Sequence, residues 1–328
     1  MFGALLSLAS AAFFGLNNAT LRRGVIKGSV LQAMAITVPF GVPLFAVIAA
    51  FMGGYDAMAG WGLAPWVWMV LAGVVHFVIG RYGNYKATQL LGSTLSTPIQ
   101  QLSIVLSLFL AVVFLGETIN PMNLIGIGLV VLGPMIMMRR KAEATSVGAT
   151  KGFAPQYGAG LLWGAVCAFG YGTSPLFVSL GIADGGIADS VGGLLVSYGA
   201  ATIVVLLWVR AVRQAVPIRS LDPDARKWFL LSALFVALSQ LFRYVALAVA
   251  PVSVVVPIQR LSVVFRLIFN AILNRDHEVF DRWVIGAILL SVIGAIALAG
   301  DTMSLIGWLG LDSHDWLARP IISTAERP

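Results

Sequence analysis

Thr97-Pro98-Ile99-Gln100-Gln101-Leu102-Ser103 is written twice in this 328-residue chain. It returns 159 positions later as Val256-Pro257-Ile258-Gln259-Arg260-Leu261-Ser262. Each copy opens an apolar run of helix length, Ile104 to Leu115 in the first and Val263 to Leu273 in the second. Upstream, Asn84-Tyr85-Lys86-Ala87 stands at the same offset from Arg243-Tyr244-Val245-Ala246. Downstream, Leu124-Ile125-Gly126 is answered by Val284-Ile285-Gly286, and Ala12-Phe13-Phe14-Gly15 near the start by Cys167-Ala168-Phe169-Gly170. Self-similarity of this reach predicts two halves that share one fold.

Composition fixes the solvent. Hydrophobic residues make up 59% of the chain and charged ones 11%, with a mean hydropathy of +0.92. A water-soluble protein has too little interior to hide that much apolar surface, so the chain reads as all-α and polytopic in a membrane. The 35 glycines suit close helix packing in lipid. A single cysteine, Cys167, excludes an intramolecular disulfide and argues against a thiolate metal site.

Ten transmembrane helices are expected: Phe2–Leu21, Val30–Phe51, Trp66–Leu91, Thr94–Leu115, Met122–Met138, Tyr157–Leu180, Val191–Val209, Trp228–Ala250, Val252–Leu273 and Trp283–Ala299. They group as a first five-helix repeat over 1–138, a basic linker over 139–156, a second repeat over 157–300, and an interfacial or flexible tail over 301–328. The tail's apolar piece, Met303 to Leu311, is too short to span, and Trp308 and Trp316 suit an interface. Because the first span has a counterpart deep in the chain and lacks a basic leader, a cleaved signal peptide is not expected.

Basic residues gather in odd-numbered connections: Arg22, Arg23 and Lys27; Arg139, Arg140, Lys141 and Lys151; Arg210, Arg213, Arg219, Arg226 and Lys227; Arg275 and Arg282. Positive-inside reasoning places these connections in the cytoplasm and both termini outside, in a bacterial-type inner membrane. It also accounts for the +7 net charge without a nucleic-acid partner. Five spans per half then make the two repeats inverted, an arrangement of secondary transporters.

Ionisable residues within the spans are the clearest functional signal. Arg81, Lys86, Arg243, Arg260, Arg266 and His76 lie there, whereas Asp and Glu fall at span ends or in loops. Each buried cation costs roughly 2.5–3.5 kcal/mol on insertion scales, so water in a cavity or an anionic ligand is needed to compensate. Arg81, Asn84, Tyr85 and Thr88 follow helical spacing and form one stripe, repeated by Gln240, Arg243, Tyr244 and Leu247. Gln259 and Arg266 share a face, Arg260 lies about 100° away, and Gln100 and Gln101 take the matching place in the fourth span. Asn17 and Asn18 in the first span, and Thr173 and Ser174 in the sixth, either line the cavity or join neighbouring helices. Plainer readings stand beside these: Lys86 and Arg266 can snorkel to an interface, His76 can be a packing histidine, and Glu117 a helix-end structural carboxylate.

Phe114-Leu115-Gly116-Glu117 closes the fourth span and Asn123-Leu124-Ile125-Gly126 opens the fifth. With the two five-span repeats, these residues resemble the EamA-type transporters of the drug/metabolite transporter superfamily. The second half departs from the Gly-Glu pair, having Asn274-Arg275-Asp276-His277-Glu278 instead. The resemblance implies alternating access around one site near the midplane, formed by spans such as one, three, four, six, eight and nine. Small multidrug exporters of similar fold use a buried glutamate in the first helix to exchange protons for cationic drugs. The first span here offers Asn17 and Asn18 but no acid, which disfavours that chemistry.

The expected function is therefore secondary transport of a small anionic or zwitterionic metabolite. Arg243 and Arg81 would bind the anionic group with Arg260 or Arg266 assisting, while Asn17, Asn84, Gln100, Gln101, Gln240, Gln259, Tyr85 and Tyr244 orient it. His76 is the candidate for proton coupling. No cofactor or metal is expected, since no nucleotide fingerprint or ligand cluster is present. No enzyme is expected either, for want of a nucleophile with a base. The competing reading is a flippase or scramblase for an anionic lipid-linked substrate, served by Lys86 and the basic loops. Cargo, direction, coupling ion and oligomeric state are not fixed by these residues.

Overall fold

The computed structural model describes residues 1–129, 131, 132, 135, 156–182, 185–212 and 221–273, and the isolated positions 286, 289, 290, 293, 294 and 297. Among them there is no strand. The elements are α1 (Phe2–Lys27), α2 (Val30–Thr37), α3 (Gly41–Phe51), α4 (Gly54–Ala59), α5 (Leu63–Gly73), a π-helical segment (Val74–Gly80), α6 (Arg81–Leu95) and α7 (Thr97–Leu115). They continue as α8 (121–129), α9 (Tyr157–Ile182), α10 (Ile187–Ala211), α11 (Pro223–Val249), α12 (Val252–Gln259) and α13 (Ser262–Leu273).

Among the described residues seven stretches are long and apolar enough to cross a membrane: Phe2–Lys27, Val30–Phe51, Leu63–Leu91, Tyr157–Ile182, Ile187–Ala211, Pro223–Val249 and Val252–Leu273. Ile99–Leu115 is a shorter apolar helix at the fourth expected span. The fifth and tenth spans are described only in part, and the linker, the segment 213–220, the second half's Asn274-Arg275 pair and the tail lie outside the described residues. The protein is thus all-helical and multi-pass. Its outer surface is apolar, with Val105, Phe109 and Phe114 on α7 and Ile203, Leu206 and Leu207 on α10 exposed. Its interior holds the polar side chains. That inversion suits a lipid solvent.

Three spans are interrupted. The second breaks between α2 and α3. The third passes through the π-helical segment immediately before Arg81, the kind of local insertion that re-aims side chains at functional sites. The ninth breaks at Arg260 and Leu261, between α12 and α13. Sequence periodicity does not mark the π-helical turn, because its residues other than His76 continue the apolar run.

Helix α1 packs along α11 and α13. Ser10 Oγ donates to the Ser239 carbonyl at 2.7 Å, and Ser239 Oγ returns the bond to the Ser10 carbonyl at 2.9 Å. Such reciprocal hydroxyl bonds hold helices together where the hydrophobic effect does not. A Cβ on Gly15 would stand 2.6 Å from Phe265 Cβ and 2.8 Å from the Arg266 amide nitrogen. Only a glycine therefore lets α1 approach the backbone that carries Arg266.

Helix ends are matched to charge. Asp222 caps α11 through the Asp224 and Ala225 amides, with Pro223 in the first turn. Gly116 ends α7 in the left-handed region at φ 67°. Glu117, which follows it, reaches across to the second half. Its Oε1 accepts from the Val252 amide at 2.7 Å and its Oε2 from the Ser253 amide at 2.8 Å, at the start of α12. Glu117 is the helix-end carboxylate of its plainer reading, but the helix it caps is not its own.

Two outcomes follow for thermal unfolding in detergent. Gly15→Ala overpacks the α1–α13 contact and lowers stability by about 1–3 kcal/mol. Glu117→Ala removes both acceptors from the start of α12 and lowers it by about 1–2 kcal/mol.

Candidate functional site

The expected site residues are all buried, but they divide into three groups. Arg81 lies at the start of α6, directly after the π-helical turn. It donates to Tyr198 Oη at 2.8 Å and to the Thr37 carbonyl at 3.4 Å. Its guanidinium lies over the rings of Phe77 and Tyr198, at 4.9 and 5.4 Å from their centroids. Tyr85, one turn on, donates to Thr37 Oγ1. Cation–π contacts in a desolvated place are each worth up to about 2 kcal/mol, so this arginine is compensated by the protein itself.

Arg243 on α11 forms the second group. Its Nε donates to Gln240 Oε1 at 2.9 Å, and both terminal nitrogens donate to Ser174 Oγ at 3.1 Å. The guanidinium also lies over the Tyr244 ring at 5.2 Å. Tyr244 donates to Ser197 Oγ at 3.0 Å. Ser174 Oγ, having received Arg243, is also hydrogen-bonded to His76 Nδ1 at 2.7 Å. His76 is stacked on Tyr171 at 4.4 Å and edge-on to Phe77 at 4.9 Å.

The third group surrounds a narrow crevice lined by Phe14, Asn18, Gln100, Gln101, Arg260, Ser262, Val263 and Arg266. Here the two copies of the repeated motif meet: Gln100 and Gln101 come from the first, and Arg260 and Ser262 from the second. Arg260 is 9% exposed and Gln100 8%. Arg260 lies over the Tyr171 ring at 5.5 Å, yet its Nε has no hydrogen-bond partner, and neither has Gln100 Nε2. Among the described residues no acidic side chain lines the crevice. Arg260 is therefore less compensated than Arg81 or Arg243, though all three are buried.

The remaining expected residues flank these groups. Gln259 donates to Ser10 Oγ at 2.9 Å and helps lock α1 to α12. Asn17 accepts from Ser232 Oγ at 2.6 Å, with its Nδ2 unpartnered. Asn84 donates to Asn18 Oδ1 at 3.4 Å, while its own Oδ1 and Thr88 Oγ1 are unpartnered. Lys86 is taken up by Gln89 at 2.9 Å, one turn away on the same helix.

Arg81, Arg243, Gln240, Tyr244, Gln259, Asn17, Asn84, Tyr85 and His76 lie outside the crevice lining. Gln100, Gln101, Arg260 and Arg266 form most of its polar wall. Sequence reasoning missed Tyr171, whose ring stands between His76 and Arg260. It also missed Tyr198, the partner of Arg81. Tyr171 carried a weak signal, an aromatic between two glycines in the segment paired with the first span; Tyr198 carried none.

The comparisons with known proteins agree with this architecture. Residues 1–139 match the model of the EamA-like transporter family. One protein of known crystal structure superposes with a TM-score of 0.64 over 94% of this chain and 98% of its own, at 18% identity. At that identity the likeness shows a shared fold alone. No curated protein sequence matches the chain. Residues 1–139 are thus similar to the EamA-like transporter family, within the drug/metabolite transporter superfamily, and the molecule has the all-helical, multi-pass architecture of a membrane protein.

Proposed function

We propose that this protein is a secondary transporter of a small anionic or zwitterionic metabolite, working by alternating access between two inverted five-helix halves of a ten-span bundle. The observation that carries the reading is the crevice: two motif copies, one from each half, facing each other with Arg260, Arg266, Gln100 and Gln101 on its wall. Polar groups so placed in an apolar bundle are costly, and a ligand that enters and leaves supplies what their surroundings lack.

In this reading Arg260 and Arg266 hold the anionic group, and Gln100 and Gln101 orient it. Arg243 and Arg81 lie outside the crevice lining, each held by its own ring and hydrogen-bond partners. A pair of halves built from one repeated unit can rock about a site on their common boundary, exposing it first to one side and then to the other. Placement in an inner membrane with both termini outside follows from the basic connections. Hydrogen-bonded to the Arg243 cluster through Ser174, His76 has the position from which a proton could be coupled to that motion.

Solute counterflow into proteoliposomes is the test, run with anionic, zwitterionic, neutral and cationic metabolites. Saturable accumulation of anions is expected, falling about tenfold or more in Arg266→Gln, the size expected for losing one charged hydrogen bond. Linear, unsaturable flux of every solute, or redistribution of labelled anionic lipid without solute flux, would replace this reading with the scramblase one.

A further inference from the structure

We propose that the crevice selects ligands bearing a carboxylate or phosphoryl oxoanion and no ammonium group, and that Arg260 sets this preference. The inference rests on the crevice being the substrate site, as proposed above, and narrows its ligand from anionic or zwitterionic to anionic alone.

The unused hydrogen-bonding capacity nearest the crevice is on donors. Arg260 Nε and Gln100 Nε2 are both on its wall and both lack a partner. Asn18 has committed its Nδ2 to the Phe14 carbonyl at 2.7 Å, and its Oδ1 already accepts from Asn84. An oxoanion matches unused N–H groups beside a guanidinium.

Among the described residues no carboxylate lines the crevice to receive an ammonium. Glu117 is bound to the Val252 and Ser253 amides, Asp189 to Trp61 Nε1 and the Gly186 amide, Asp222 and Asp224 stand at the start of α11 with Lys27, and Asp56 lies in the first turn of α4. A ligand ammonium in the crevice would lie beside the Arg260 guanidinium, and like charges close together in a poorly screened interior repel strongly.

The repeat supplies the control. Arg260 occupies the place that Gln101 holds in the first copy, in otherwise matching Pro-Ile-Gln-x-Leu-Ser sequences. Arg260→Gln rewrites the second copy in the terms of the first. It removes one positive charge from the crevice and leaves an amide of similar reach against Tyr171.

Calorimetric titration of the purified full-length protein in nanodiscs tests this with two near-isosteric pairs. They are malate against aspartate, and 2-hydroxyethyl phosphate against phosphoethanolamine. Within each pair a hydroxyl replaces an ammonium. The hydroxyl member of at least one pair is expected to bind about tenfold or more tightly than its partner, a difference of about 1.4 kcal/mol. In Arg260→Gln its affinity falls about tenfold or more and the pair preference disappears. In Arg260→Lys, which keeps the charge and guards against a misfolded glutamine variant, the preference persists with weaker binding.

Equal binding within both pairs, tighter binding of the ammonium members, no binding of any of the four, or an unchanged preference in Arg260→Gln overturns the proposal. Counterflow of a zwitterionic solute by the same preparation would leave the transporter reading standing while this inference falls. Failure of all solutes in counterflow would remove both.

Discussion

A guanidinium inside an apolar bundle must be compensated where it stands, because lipid offers no water to do it. Arg81, Arg243 and Arg260 meet this demand in different degrees. Arg81 has two rings and two oxygen acceptors, and Arg243 has one ring, an amide oxygen and a serine hydroxyl. Arg260 has the Tyr171 ring and an Nε without a partner. The chain thus builds permanent neutral surroundings for two arginines and leaves the third on the wall of a crevice. Burial alone does not distinguish them; the inventory of partners does.

Tyr171 links the arginine groups. One contact of its ring is the stacked imidazole of His76, which is hydrogen-bonded to Ser174, and another is the guanidinium of Arg260. Ser174 in turn is held by Arg243. Arg260 and Arg243 are therefore connected through one aromatic ring, one imidazole and one hydroxyl.

Much of the fold was legible because lipid imposes simple rules. Long apolar runs mark spans, and the repeated motif located the place where α7 and the α12–α13 break face each other. The candidate site was legible only in its inventory. Burial of Arg81, Asn84, Gln100, Gln240, Arg243, Gln259, Arg260 and Arg266 followed from their positions in the spans, and all are buried. Which arginine would be left short of partners did not follow. That depended on Tyr198 and Phe77 closing over Arg81, and on Ser174 meeting Arg243, contacts between residues distant in sequence. The π-helical turn before Arg81 was invisible for a different reason: it changes the register of an apolar run without changing its composition.

The ninth span is also gripped at both ends by the first half of the chain. At its start, Glu117 from the end of α7 accepts the Val252 and Ser253 amides. At its finish, the Arg23 guanidinium from α1 donates to the Leu273 carbonyl through Nε at 3.0 Å and through Nη2. Each charge suits the helix end it meets, acid at the N-terminus and base at the C-terminus. Between the two anchors the span breaks at Arg260 and Leu261, beside the crevice. A helix held at both ends and broken in the middle cannot slide as one rod without losing a cap. The break that sets Arg260 on the crevice wall thus lies between two anchors, both supplied by the first half of the chain.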